Sequence, residues 1–194
     1  ELTLSLPPRL TAATGIDALS HGVETYCSSW ENPPAAAIAR DCVTRAAKWL
    51  PIAVEDGQNR QARWEMMMAA LMGGMCLQKS LGAAHAMATP LGELHLHHGT
   101  LIGILLPHVV AFNSEHARDA ITDLKAAFDS DGPLSKQIAA LVADIGLPSG
   151  LGSLGVREEQ LPDIAAKAVK DHVSLTNPRP ASEADYLQLL GQAM

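Results

Sequence analysis

Thr14-Gly-Ile-Asp-Ala-Leu-Ser-His-Gly-Val-Glu24 is the stretch around which the chain is organised. Its apolar residues recur with helical period, and Asp17 and His21 stand four residues apart. On a helix that spacing stacks the two side chains on one face, one turn apart. A carboxylate and an imidazole placed so can form half of a metal site, or an ordinary helix-face pair. The spacing alone leaves both open. A second stretch, Ala84-His-Ala-Met-Ala-Thr-Pro-Leu-Gly-Glu-Leu-His-Leu-His-His-Gly99, could donate the other half through His85, His95, His97 and His98. Three imidazoles and one carboxylate suit a divalent first-row ion, Fe²⁺ or Zn²⁺, with room for a substrate oxygen. The competing reading is a solvated cluster of loop histidines.

The surrounding composition favours helices. The 194 residues are 47% apolar and 4% aromatic, rich in Ala and Leu, and no segment alternates as a strand would. The expected fold is all-α, a single helical domain over residues 1–194. Net charge is −7 with no Lys/Arg patch, which argues against nucleic acid and anionic membranes as partners. Apolar runs are too short or Pro-interrupted to span a bilayer, and no signal peptide is visible. Cys27, Cys42 and Cys76 read as buried free thiols of a cytoplasmic, reducing compartment. There is no initiator Met, and the chain starts in mid-phrase, as a fragment would.

Punctuation along the chain divides the helices. Residues 1–10 read as extended, with Thr11 or Thr14 capping the helix that carries Asp17 and runs to about Ser28. Helices are expected at 35–50, stopped by Pro51, and at 61–80, where Met66, Met67, Met68, Leu71, Met72 and Met75 make every face apolar, as in a centrally buried helix. A short helix at 81–88 ends before Pro90, and Leu91–His98 is a loop. The next helix starts at Gly99 and breaks or kinks around Pro107. Then come helices at 114–128, 134–145, 157–172 and 182–193. Turns fall at Asp129–Pro133 and Gly146–Gly152, and Ser182 with Asp185 gives a weak capping signal.

Leu6-Pro-Pro…Thr11-Ala-Ala-Thr-Gly-x-Asp-Ala-Leu-x-His-x-x-Glu24 resembles the signature of the iron-containing (group III) alcohol dehydrogenases. Gly82-Ala-Ala-His-Ala-Met-Ala…Pro-Leu-Gly92, His98-Gly99, Leu105-Leu-Pro-His108 and Thr176-Asn-Pro-Arg-Pro180 resemble further phrases of that family. The resemblance covers nearly the whole chain. It implies the C-terminal helical domain of a two-domain enzyme, a bundle of the dehydroquinate synthase-like α type. It places metal ligands on Asp17, His21, His85 and His98. The metal would polarise an alcohol or aldehyde oxygen during hydride transfer to or from NAD(P). NAD(P) would be held mainly by an N-terminal nucleotide-binding domain absent from this chain, so the fragment alone should catalyse little. The full-length enzyme is expected to be a homo-oligomer acting on a small-molecule alcohol or aldehyde.

Two departures stand out. Where many members carry a second histidine four residues after the one matching His85, this chain has Thr89. The interval to His98 is also one residue shorter, so His97 competes for the third histidine position. His95 or His97, with the Thr89 hydroxyl, is the expected substitute for a proton relay. The substrate cleft is expected near Met87, Leu91 and Leu96. Two other readings stay in view: a relative of maleylacetate reductase, and a non-catalytic helical domain without a functional metal site.

Overall fold

The computed structural model describes residues 2–128 and 131–194, so the turn expected at Asp129–Pro133 begins on residues outside the described range. Every regular element among the described residues is helical: α1 Pro8–Cys27, α2 Pro33–Glu55, α3 Arg60–Cys76, α4 Ala83–Gly92, α5 His98–Asn113, α6 Arg118–Leu124, α7 Leu134–Asp144, α8 Leu161–Ala168 and α9 Glu183–Gln192. The all-α expectation holds. No described helix is long and apolar enough to cross a membrane.

α1 is the hub, packed against α2, α3 and α5. Its small residues Ala12, Ala13 and Ala18 let those neighbours come close, and Ile16, Leu19 and Val23 fill the space between. α4 bridges α5 to α8, and α9 closes the far end through the fully buried Tyr186, whose hydroxyl donates to Ser174 at 2.7 Å. Asn32 and Asn59 cap α2 and α3, accepting from Ala35 N–H at 3.2 Å and Ala62 N–H at 3.0 Å. Ser182 and Asp185 form the capping box of α9. The three cysteines are buried and free.

Several boundaries differ from expectation. α1 starts at Pro8, whose fixed φ suits a first turn. Thr14 is therefore no cap but lies inside the helix, donating to Leu10 O at 2.8 Å. α2, α4 and α5 run through Pro51, Pro90 and Pro107 instead of ending there. Each proline forfeits one backbone bond, a cost of about 3 kcal/mol in an isolated helix interior, and buried flanks such as Leu50, Leu91 and Leu106 offset it by packing. Residues 114–128 contain only α6 and a one-turn 3-10 helix, and 157–172 contain α8 between a 3-10 turn at Glu158–Gln160 and the start of another at His172. α3 is not central. It buries Met66, Ala69 and Cys76 but leaves Trp64, Met67, Leu71 and Met75 exposed, because it packs through one side on α1 and α2.

Candidate metal centre

Three helices bring four side chains to one point. α1 contributes Asp17 and His21 from successive turns, α4 contributes His85 from its first turn, and α5 contributes His98 as its first residue. The shared point is one oxygen. Asp17 Oδ1 lies 3.9 Å from His21 Nε2, 3.7 Å from His85 Nε2 and 3.4 Å from His98 Nε2. The His85 ring sits between the others, its centroid 4.9 Å from that of His21 and 5.3 Å from that of His98.

The neighbourhood polarises these groups. Burial alone would push the Asp17 carboxyl up, but the imidazoles of His85, His98 and His21 outweigh it and hold it well below the usual range. His21 is held low by burial and by the charge of His85, which favours the neutral, ligating form. Burial would also depress His85. Two carboxylates, Asp17 and Glu24, reverse that and raise it to about 9. Glu24 is itself buried, on the face of α1 shared with Asp17 and His21, and its Oε2 lies 2.5 Å from His85 Nδ1.

Asp17 Oδ1 and His85 Nε2 are buried and have no hydrogen-bond partner. Orphaned buried polar atoms of this kind are costly unless something else binds them. Four donors each about 2.1 Å from one tetrahedral ion lie about 3.4 Å apart, and the three distances to Asp17 Oδ1, 3.4–3.9 Å, are close to that. Donor atoms of Asp17, His21 and His85 all fall within 4.8 Å of one another. Carboxylate with imidazole suits Fe²⁺ and Zn²⁺ alike. The side chain of His85 is 8% exposed and that of His98 46%, so the cluster is closed at the bottom and open on the α5 side.

His98, not His97, is the histidine that α5 brings to Asp17. Gly99 is the reason: a Cβ there would stand 2.0 Å from Ala13 O, so only glycine lets the start of α5 rest on the α1 backbone one turn before Asp17. His95 and His97 are exposed, and His95 is left-handed at φ 60°. Neither ring contacts the four-residue cluster among the described residues. Thr89 is also exposed, its hydroxyl donating back to His85 O at 3.0 Å. The structure corrects the expected cleft lining too. Met87 and Leu91 are fully buried in the core, since they lie on the side of α4 turned to its neighbours, and Leu96 packs against that core.

Residues 11–194 match the C-terminal part of the Fe-containing alcohol dehydrogenase family. The chain belongs to that family. Among relatives, it is 41% identical to a 4-hydroxybutyrate dehydrogenase of Cupriavidus necator, over 100% of this chain and 54% of that protein. A crystal structure of a 1,3-propanediol oxidoreductase superposes with a TM-score of 0.93 at 36% identity, over 98% of this chain and 53% of the other. A maleylacetate reductase from Rhizobium sp. strain MTP-10005 superposes with a TM-score of 0.90 at 27% identity, over 100% of this chain and 55% of the other. The chain spans about half the length of the curated relatives it matches.

Glu24 has no role that its sequence neighbours alone assign. Its signal was present: with Asp17 and His21 it completes an i, i+4, i+7 stripe of polar residues on an apolar helix.

Proposed function

We propose that this chain is the metal-binding half of an NAD(P)-dependent alcohol dehydrogenase, with Asp17, His21, His85 and His98 holding Fe²⁺ or Zn²⁺. The observation that carries this reading is the buried, partnerless Asp17 Oδ1 faced by three Nε2 atoms. When bound, the ion supplies Lewis-acid polarisation of the alcohol or aldehyde oxygen. The chain's residues do the rest. Asp17 supplies the negative charge that offsets the ion, the neutral ring of His21 offers a lone pair, and the buried His85 keeps water from the floor of the site. The exposed His98 side is where a small-molecule substrate enters. The NAD(P) phosphates fall to a nucleotide-binding domain outside these 194 residues, a reading supported by the twofold length of the relatives. The full-length protein would be a cytoplasmic homo-oligomer.

The proton relay belongs to the same proposal. His95 or His97 takes it, with Thr89 able only to accept, since its one proton is given to His85 O. His95→Ala and His97→Ala in the full-length enzyme test it: an unchanged pH–rate profile in both ends the idea.

Metal analysis tests the main reading. Purified chain loaded with Fe²⁺ or Zn²⁺ should hold about one ion per chain, and Asp17→Ala and His85→Ala should lose it. Failure of the loaded wild type to retain an ion would instead favour a degenerate, maleylacetate reductase-like or non-catalytic site.

A further inference from the structure

We infer that Glu24 is a positioning residue of the metal centre, one whose two carboxylate oxygens lock His85 in the form that carries its proton on Nδ1. The inference rests on the proposed metal reading and adds to it a reason why position 24 needs an acid rather than an amide.

The carboxylate serves two donors at once. Oε2 faces His85 Nδ1 at 2.5 Å, and Oε1 accepts the backbone N–H of Ala84 at 2.7 Å. A carboxylate only accepts, so Nδ1 must donate, and Nε2, which faces Asp17, is the ring atom left to give up its proton to a cation. At 3.7 Å the Nε2–Oδ1 separation is too long for a hydrogen bond, which leaves both atoms for a shared cation. Imidazole ligands are routinely oriented by such an outer carboxylate.

The grip extends past one ring. Gly82, the residue before α4, offers no capping side chain, and the helix start is capped from elsewhere. Glu24 takes the Ala84 N–H, and Asn177 Oδ1 takes the Ala83 N–H at 3.1 Å. Asn177 is fixed in turn by a reciprocal amide pair with Asn113, at 2.9 and 2.8 Å, and by donation to Arg179 O at 2.7 Å. A Cβ at Gly82 would lie 2.9 Å from both Glu24 Oε1 and Asn177 Oδ1, so glycine is what allows the two caps to meet. Glu24 therefore sets where α4 starts and how the ligand in its first turn is turned.

An amide at position 24 would split these two duties. The Ala84 N–H can only donate, so in Glu24→Gln the side-chain carbonyl must turn there. The side-chain NH₂ then faces Nδ1, which must accept. The imidazole proton moves to Nε2, the atom that would bind the ion.

The experiment compares wild type, E24Q and D17A, all as the full chain. It measures Zn²⁺ affinity by chelator competition, metal-free melting by circular dichroism, and the His85 proton by long-range ¹H–¹⁵N spectra. E24Q should melt with the wild type, carry its neutral His85 proton on Nε2, and bind Zn²⁺ about 10–100-fold more weakly. E24A, which strands the Ala84 N–H, is avoided for that reason. Wild-type affinity in E24Q, or Nδ1–H retained in it, with D17A binding lost, overturns the positioning role alone. No Zn²⁺ binding by wild type overturns the metal reading beneath it, and the positioning role falls with it.

Discussion

Gly99 lies against Ala13 so closely that a Cβ on the glycine would stand 2.0 Å from the alanine carbonyl oxygen. This backbone contact brings the first turn of α5 to the second turn of α1, and with it His98 Nε2 to 3.4 Å from Asp17. Gly99→Ala should therefore push the helices apart. Strain of this kind costs about 1–3 kcal/mol, read as a lower urea midpoint. Metal affinity should fall as well, because His98 moves with the helix. A variant that loses stability and keeps wild-type affinity would show that His98 is not a ligand.

Arg63 ties the entry of α1 to the loop before α3. It is 4% exposed, donating to Gly57 O at 2.9 Å, Thr11 Oγ1 at 2.7 Å and Leu6 O at 2.9 Å. Arg63→Lys keeps the charge but not the fork. Hydrogen exchange should quicken in the first turn of α1 and stay unchanged in α4, at a stability cost of about 1–3 kcal/mol from the stranded acceptors.

The Asn113–Asn177 pair joins the end of α5 to the segment before α9 across 64 residues of sequence. Asn177→Ala should strand the Ala83 N–H and the Asn113 amide, each worth about 1–3 kcal/mol when buried. Equilibrium denaturation checks this, and Asn113→Ala combined with Asn177→Ala should cost less than the sum of the two single changes, since the pair acts as a unit.

The buried thiols predict an alkaline limb. Burial pushes Cys27 and Cys42 from the ordinary 9.0 up to about 12, while the unfolded chain ionises near the ordinary value. Between those values the folded state holds more protons. Their stability contribution is therefore complete below pH 9 and is lost as pH rises toward 12, by up to about 1.4 kcal/mol per thiol per pH unit. Denaturation midpoints should fall from about pH 9 upward. At about pH 8 the native thiols should ignore a thiol reagent that titrates them once denaturant is added.

The site was legible in unequal parts. Asp17 and His21 stood out through a four-residue spacing, which is local but fits an ordinary helix-face pair as well. His85 and His98 could be assigned only through the resemblance, because four histidines share one short stretch and nothing local separates His97 from His98. Their difference is the contact that Gly99 makes with α1. Glu24 sat on the right face but had no evident partner until α4 arrived with His85 and the Ala84 N–H. The prolines misled for a related reason: their cost to an isolated helix is real, but packing on both flanks exceeds it. Met87 and Leu91 misled by lying between site residues in sequence while facing away from the site.

By itself, then, the sequence determined an all-helical chain and the two short stretches that carry donor-type side chains, since helix periodicity and residue chemistry act over a few residues. The convergence of three helix segments on Asp17 Oδ1, and the hold of Glu24 on His85, were decided only by tertiary structure. They depend on backbone approaches between residues far apart in sequence, at Ala13 with Gly99 and at Gly82 with Glu24 and Asn177, and no local pattern encodes how closely two helices can pass.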